Sequence, residues 1–456
     1  MGPYRHRNRA GHPGLQQVLR WYTSEIARNV IDHAAPTVEH IHLHWSGNQS
    51  VLHGWASSES GIPLLCRSSR SLLSKITLHA YQDPLLGEQS EKPRSDAWIE
   101  AMERFRKSLI GMHRSGLLNE PRRVRVALID DGVDLHDFNT YNNTALYTGV
   151  SYCAGSGRDE NAWWKSTGGH GTIMANMISR INPWVVLDVI KIQSSPSYIH
   201  GEGARSISPR SAADAINAAV MHRADIISMS WTITDLEYRM SLISDSIPDE
   251  EGHKKRADQS ELQLLRTAIT EAVKDNQRLL ICSAADDVRL IGDNTLPYSQ
   301  APSHILRIGS AGPLANRDPG SGSGGSITYY LPGNQVAEEQ RAHSSKQVVY
   351  HNGSSVSTAL AAGLASLIMY CAHCLHSCGA GDEYLDRARA LRNHTNMRKA
   401  FKNINNYLEW KDDDKIVPVW GIFGEKSSQL DKATIGQDKI KVLTELVTYL
   451  CHDVTR

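Results

Sequence analysis

The feature that most constrains the fold is a run without a charged residue, NGSSVSTALAAGLASLI, at residues 352–368. Small residues and large aliphatic residues alternate around the whole circumference of a helix, which is the pattern of a helix packed on all sides. A membrane span is the rival interpretation, because the run approaches the length that crosses a bilayer. Its serine, alanine and glycine content favours a core helix. We therefore predict a buried helix within a large domain.

The start of this helix carries two hydroxyl groups. Gly353, Ser354 and Ser355 would lie at the N-terminus, where unpaired backbone N–H groups and the helix dipole favour negative charge. A serine at this position can act as a nucleophile, or it can simply cap the helix. The segment alone leaves both interpretations open.

The composition bounds the class of protein. The chain has 456 residues, enough for a sizeable core, and 49 basic against 49 acidic residues. This balance gives no sign of a nucleic acid or a membrane surface as partner. The basic N-terminus lacks the apolar segment of a signal peptide, and seven cysteines, an odd number, fit reduced thiols. We expect an intracellular protein.

Cysteines and histidines near residue 375 raise the question of a metal site. Their spacing runs along the tail of the uncharged helix, and no second ligand pair follows downstream. A short cluster of oxygen-bearing side chains at residues 134–138 is too small to assign to calcium. We expect buried, unliganded thiols and neither a metal nor another cofactor. The candidate zinc ligands are Cys371, Cys374, Cys378, His373 and His376.

From residue 122 onward, short apolar runs alternate with helical patterns. Such alternation implies an α/β fold with a mostly parallel sheet covered by helices on both faces. Active sites in these sheets lie at the carboxyl ends of the strands. The strand candidates are residues 123–129, 185–192, 225–230, 278–284 and 304–311, and helix candidates between them include 211–222 and 261–276.

The sequence divides into three regions. Residues 1–120 contain two amphipathic helical patterns, at 15–35 and 96–113, and predict a mainly helical region that could bind a protein partner. Residues 121–380 carry the alternating pattern. Residues 381–456 form a polar, partly helical extension.

Two short motifs carry candidate catalytic groups ahead of the uncharged helix. The first strand of the alternating region ends in ALIDDGVD, which puts Asp130 at the carboxyl edge of the sheet. The motif GGHGTIMANMI holds His170 between glycines at the start of a helix, where an imidazole suits a general base. Each signal is weak alone, because an Asp after a strand usually caps or turns and a single His is more often structural.

Together and in this order, VALIDDG, GHGTIMA and NGSSVSTALAAG resemble the three signature segments of the subtilisin-like serine peptidases, peptidase family S8. The resemblance covers about residues 122–375. It implies a three-layer fold and an acyl transfer in which Ser355 attacks, His170 takes its proton and Asp130 holds the imidazole. The domain is most similar to those of large intracellular fungal proteins, and the resemblance implies protein or peptide substrates.

The resemblance also indicates substrate-binding residues. The segment DIISMSWTI resembles the family's strand whose edge pairs with the substrate backbone, and it supplies Ser230, Trp231 and Thr232. Asp131 follows the strand aspartate, as in kexin-like enzymes, where a second carboxylate favours basic substrate residues. The other interpretation, which we favour, is a turn residue without substrate contact.

One departure from the family pattern concerns the oxyanion. The family normally presents an Asn side chain to it, whereas CSAADDV places Asp286 there, or Asp287 if the register slips by one. An ionised carboxylate cannot donate a hydrogen bond to an oxyanion, but a protonated one can, and burial raises the pKa toward that state. The sequence therefore predicts a serine endopeptidase whose activity an ionised Asp286 would reduce. The alternative is a pseudopeptidase that binds or signals.

Overall fold

The computed structural model of the chain separates into two compact units, Met1–Lys92 and Pro93–Arg456. It describes three short segments of the first unit, at 18–21, 40–45 and 75–80, and most of the second. The described ranges of the second unit are 94–119, 121–141, 144–154, 161–196, 205–233, 259–275, 277–285, 295–318, 326–339, 348–408 and 415–454.

The described residues of the first unit form a small parallel sheet. Its strands are β1 (Val18–Trp21), β2 (His40–Trp45) and β3 (Lys75–Ala80), with β2 in the middle. The helix predicted at 15–35 is therefore wrong over β1, where valine and tryptophan favour a strand paired with β2. The rest of that predicted helix lies outside the described residues.

A seven-stranded, fully parallel sheet forms the centre of the second unit and confirms the predicted α/β class. All five strand candidates are found, each within two residues of the predicted bounds. In sheet order the strands are β12 (Tyr329–Pro332), β11 (Ile305–Ala311), β10 (Leu279–Ser283), β9 (Ile226–Met229), β4 (Arg125–Asp130), β6 (Val186–Lys191) and β5 (Leu146–Ser151).

Helices cover both faces of this sheet. The alternation of side chains along β4 shows how the layers divide: Val126 and Leu128 pack into one apolar cluster, and Ala127 and Ile129 into another. The first cluster contains the buried faces of helices α1, α2 and α5, and the second contains those of α3 and α4. These helices are α1 (Arg94–Arg114), α2 (His170–Ile181), α3 (Pro209–Met221), α4 (Gln259–Val273) and α5 (Ser354–Ser377).

The uncharged run forms most of α5, the most buried helix of the described part of the chain. Every residue from Val356 to Leu375 is buried. Among the described residues, α5 is the one helix long and apolar enough to cross a membrane, but its apolar window lies entirely inside the protein. This burial confirms the prediction of a core helix.

Residues before and after the alternating region belong to the same compact unit as that region. On α1, the Trp98 indole N–H donates to the Val417 carbonyl at 2.9 Å, and the Phe105 ring meets the Phe423 ring edge-on at 5.1 Å. The boundaries predicted at residues 120 and 380 therefore fall inside the unit. Its C-terminal helices are α6 (Glu383–Ala390), α7 (His394–Asn406), α8 (Ile422–Lys432) and α9 (Gly436–Leu450).

Short strand pairs lie outside the main sheet. Strands β7 (Ser194–Pro196) and β8 (Arg205–Ile207) pair antiparallel just after the carboxyl end of β6. A second antiparallel pair, β13 (Val336–Ala337) and β14 (Tyr350–His351), precedes α5. The second pair therefore lies next in sequence to the helix that carries Ser355.

Candidate active site

Asp130 is the last residue of β4, in the interior of the parallel sheet. Strand β4 lies between β6 and β9, where the order of strands changes direction, and such a switch point opens a crevice at the carboxyl edge. The Asp130 side chain is 1% exposed, and its Oδ1 accepts the backbone N–H of Asp131 at 2.8 Å. A buried carboxylate at this edge can orient a second group.

His170 opens α2 at the same edge. The preceding residue, Gly169, has a φ of 79°, which a residue with a side chain rarely adopts. The following residue, Gly171, lies so close to the loop after β4 that a Cβ atom would come within 2.2 Å of the Gly132 carbonyl oxygen. The two glycines of the motif therefore allow the imidazole to sit directly against the end of β4.

The carboxylate of Asp130 binds the imidazole of His170. The Nδ1 atom of His170 lies 2.8 Å from Asp130 Oδ1 and 2.9 Å from Oδ2. Burial alone would raise the pKa of Asp130, but the charges of His170 and Arg205 and their hydrogen bonds outweigh it and hold the pKa well below its usual range. Asp130 is therefore a carboxylate at neutral pH.

Asp131 holds the loop that leads to His170. Its Oδ1 accepts from the Ser166 hydroxyl at 2.7 Å and from the Gly171 backbone N–H at 2.7 Å, and its Oδ2 accepts from the Gly168 N–H at 2.8 Å. The residue is 1% exposed. These contacts favour the turn-residue interpretation over a direct contact with a basic substrate side chain.

Ser355 lies in the first turn of α5, and the packing of α5 on α2 brings it to the same end of the domain as His170. Asn182 Nδ2 donates to Ser366 Oγ at 3.1 Å, and both residues lie twelve positions after the first residue of their helix. Closer to the helix starts, Gly363 packs on Ile178 and Ile181. The helices therefore run parallel and in register, and their N-termini lie side by side.

The hydroxyl of Ser355 bonds to the residue that follows β9. Ser355 Oγ donates to the Ser230 carbonyl at 3.4 Å, and Ser230 Oγ donates to the Ser355 carbonyl at 3.3 Å. Within the described part of the chain, no hydrogen bond joins Ser355 to His170. Apo structures often show long or incomplete catalytic hydrogen bonds, which tighten when substrate binds.

The neighbouring serine has a structural contact. Ser354 is fully buried, and its Oγ donates to the Ala284 carbonyl at 2.7 Å, just after β10. This bond ties the start of α5 to the segment that leads to Asp286. Asp286 and Asp287 themselves lie outside the described residues.

The three substrate-binding candidates of the segment after β9, Ser230, Trp231 and Thr232, differ in exposure. The Ser230 and Trp231 side chains are buried, and the Trp231 indole N–H donates to the Ile129 carbonyl at 2.9 Å, beside Asp130. Thr232 is half-buried, and Ile233 after it forms an isolated antiparallel bridge with Leu296. Any contact of this segment with a substrate would therefore use its backbone more than its tryptophan ring.

Arg205, in β8, is a site residue that the motifs do not reveal. Its Nη1 donates to Asp130 Oδ1 at 2.8 Å, and its Nη2 lies 2.9 Å from His170 Nδ1. The side chain is 20% exposed, and Nη1 is 3.9 Å from Asp131 Oδ2. An isolated arginine in a short hairpin strand, 75 residues after Asp130, carries no local sequence signal that could have identified it.

The five candidate zinc ligands, residues 371–378, lie along the C-terminal end of α5. Cys371, Cys374 and His373 are buried, and burial raises the pKa of the two thiols. In the ranges that the structure describes, no three His, Cys, Asp or Glu side chains gather closely enough to hold a metal ion. The six described cysteines are free thiols.

Comparison with known proteins gives the family. Residues 122–375, more than half of the chain, match the sequence profile of the subtilase family, Peptidase S8. The chain belongs to the subtilase family, the class that the parallel sheet and the Asp130–His170 pair indicate. A comparison with curated proteins gives no match.

Solved structures that resemble the chain are proteases of low sequence identity. A lanthipeptide protease is 18% identical, with a TM-score of 0.46 over 73% of this chain and 95% of that one. The prenylagaramide maturation protease PagA is 16% identical, with a TM-score of 0.42 over 74% and 98%. MycP1 from Mycobacterium smegmatis is 18% identical, with a TM-score of 0.38 over 63% and 75%.

Proposed function

We propose that the protein is a serine endopeptidase in which Ser355 is the nucleophile, His170 the general base and Asp130 the residue that orients it. The observation that carries the proposal is the contact of His170 Nδ1 with both Asp130 oxygens, at 2.8 and 2.9 Å. The parallel register of α2 and α5 supports it, because it brings the first turns of both helices together.

The chemistry follows from this arrangement. A carboxylate on Nδ1 favours the tautomer with hydrogen on that nitrogen, which leaves Nε2 free to accept the proton of the Ser355 hydroxyl. The serine oxygen attacks the carbonyl carbon of a peptide bond, and the proton passes from His170 to the departing amine. Water then hydrolyses the acyl-enzyme by the reverse proton path.

A fluorophosphonate probe, which reacts with activated serines, tests the proposal without a known substrate. The wild-type protein should be labelled and Ser355→Ala should not. Ser354→Ala is the matched control, because it removes the adjacent hydroxyl and should keep the labelling. Labelling of Ser355→Ala, or loss of labelling only in Ser354→Ala, would contradict the assignment.

A pseudopeptidase is the second candidate. It is supported by the hydrogen bond of Ser355 Oγ to Ser230 rather than to His170, and by the acidic residue Asp286 at the predicted oxyanion position. A folded wild-type protein that neither reacts with the probe nor cleaves denatured casein would favour this function. Binding partners would then be sought through residues 1–92.

We also propose an intracellular location, supported by the cysteines. Six described cysteines are free, and burial raises the pKa of Cys282 and Cys451 to about 12, which keeps them as unreactive thiols. After unfolding in denaturant without reductant, protein taken from its natural source should be alkylated at all seven cysteines. A native disulfide would argue for an oxidising compartment.

A further inference from the structure

Arg205 occupies a position that competes with the proposed catalytic pair. Asp130 Oδ1 has three nitrogen atoms at the same distance: the Asp131 backbone nitrogen, Arg205 Nη1 and His170 Nδ1, each at 2.8 Å. Arg205 Nη2 lies 2.9 Å from the same Nδ1. The guanidinium thus reaches both members of the pair with two nitrogens of its planar fork.

His170 Nδ1 cannot hydrogen-bond to Asp130 and to Arg205 at the same time, because the first bond needs a hydrogen on Nδ1 and the second needs a free lone pair there. A neutral imidazole has one hydrogen for two ring nitrogens. If Nδ1 carries the hydrogen, Nδ1 donates to Asp130, and this N–H points toward the N–H of Arg205 Nη2, which has no acceptor there. If Nε2 carries it, Nδ1 accepts from Arg205, and Nε2 can no longer accept the proton of Ser355.

The charge of Arg205 acts in the same direction. A guanidinium stays protonated at any ordinary pH. When His170 takes the serine proton it becomes a cation, and a second cation 2.9 Å from its Nδ1 opposes that charge. Arg205 therefore disfavours both the base-competent tautomer and the imidazolium formed in the reaction.

We propose that Arg205 is a positioning residue that holds His170 in a resting state, and that His170 becomes a competent base only when Nη2 leaves Nδ1. The inference rests on the proposed function, because it concerns the same base. Strand β8 is well placed for such a movement, since it is three residues long and pairs with one short strand, β7. The Arg205 side chain is also partly exposed, so that it can turn toward solvent.

The tautomer can be measured directly. In protein with ¹⁵N-labelled histidine and the Ser355→Ala change, the chemical shifts of the His170 ring nitrogens report which one carries hydrogen; a His170→Asn spectrum assigns them. We expect a larger share of hydrogen on Nε2 when Arg205 is present than in Arg205→Gln, where the Asp130 carboxylate alone faces Nδ1 and holds the hydrogen there. Hydrogen on Nδ1 in both proteins would overturn the proposal.

The rate of fluorophosphonate labelling gives a second readout. Arg205→Gln keeps an N–H donor for Asp130 but removes the charge and the fork, so Ser355 should react about tenfold faster or more, a gain of the size of one lost unfavourable charge contact. Arg205→Lys should lie between the two. Arg210→Gln, on the exposed start of α3, is the control and should react at the wild-type rate.

These measurements separate the inference from the function on which it rests. Slower labelling of a folded Arg205→Gln protein would show that Arg205 assists the base, contrary to the proposal. If Arg205→Gln does not fold, Arg205→Lys decides, because its ammonium group has one nitrogen and lacks the planar fork that places Nη1 on Asp130 and Nη2 on His170. Absence of labelling in every variant would contradict the proposed peptidase, while the ring-nitrogen shifts would still report on Arg205.

Discussion

The Asp131 carboxylate accepts a hydrogen bond of 2.7 Å from the backbone N–H of Gly171, the residue that follows His170. Its neighbour Asp130 binds the His170 ring. Two consecutive carboxylates at the end of β4 therefore divide the positioning of one residue: the first holds the imidazole and the second holds the backbone that carries it.

Replacement of Asp131 should consequently slow the reaction of Ser355 and leave the preference for substrate side chains unchanged. Asp131→Asn loses one of the two acceptor oxygens that hold residues 166–171, and we expect fluorophosphonate labelling to slow about tenfold, as for a lost buried hydrogen bond to a charged group. The cleavage profile toward basic residues in a peptide library should not change. Asp137→Asn, at an exposed position of the following loop, is the control. A lost preference for Lys or Arg would restore the substrate-contact interpretation.

The contact between α2 and α5 should be sensitive to a single methyl group. A Cβ on Gly363 would lie 2.9 Å from Ile181 Cβ and 3.0 Å from the Ile178 carbonyl oxygen, so Gly363→Ala forces the two helices apart. We expect the free energy of unfolding to fall by about 1–3 kcal/mol and labelling of Ser355 to slow, both measured on the same preparation. Gly111→Ala, in α1 with no atom within 4 Å, should instead raise stability by up to about 1 kcal/mol. Equal effects of the two changes would contradict the packing argument.

Acid should destabilise the fold through buried histidines. Burial, and after it the charge of Arg122, lowers the pKa of His373 to about 4. The unfolded chain binds this proton near pH 6.5 and the folded one only near pH 4. Above pH 6.5 the His373 ring is neutral in both states and the fold keeps its full stability. As the pH falls from 6.5 to 4, the unfolded chain takes up the proton first, so the free energy of unfolding falls.

Denaturant titrations between pH 4 and 7 measure this effect. His373→Gln removes the titrating group, so the fall in stability with acid should be smaller than in wild type by up to about 3 kcal/mol at pH 4. His394, whose pKa burial also lowers to about 4, should behave likewise. His136→Gln changes an exposed ring and is the control. A wild-type slope in His373→Gln would show that the ring does not titrate in this range.

The acidic residue at the predicted oxyanion position leads to a test of its own. If the Asp286 carboxylate repels the oxyanion, Asp286→Asn supplies a hydrogen-bond donor and should raise turnover about tenfold or more, measured on a protein substrate. Asp287→Asn distinguishes the two registers. A fall in turnover in Asp286→Asn would assign the carboxyl group a role that the amide cannot fill.

The sequence predicted the parts of the fold that depend on local pattern. The central strands are continuous apolar runs because both of their faces are covered, and α5 has no charge because it is buried all round. Strand β5 was not predicted, since it is an edge strand whose first residues, such as Leu146 and Tyr147, are exposed and carry no such pattern.

Only those residues of the candidate site that lie in sequence motifs could be predicted. Asp130, His170 and Ser355 stand in short segments with characteristic glycines; Gly169 has a positive φ, and Gly171 leaves no room for a Cβ atom. Arg205 joins the site through the placement of a short hairpin, and α1 packs on the C-terminal region through contacts such as that of Phe105 with Phe423 in α8. Such long-range contacts have no counterpart in local periodicity.

The central claim is that Ser355 is a nucleophile activated by His170. Mass spectrometry of the fluorophosphonate-treated protein tests it most directly, because it locates the modified residue and, in a time course, gives its rate of modification. We expect the phosphonyl group on Ser355 alone, and a rate at least about a hundredfold lower in His170→Ala, the usual contribution of a general base. A label on another residue, or an unchanged rate in a folded His170→Ala protein, would contradict the account.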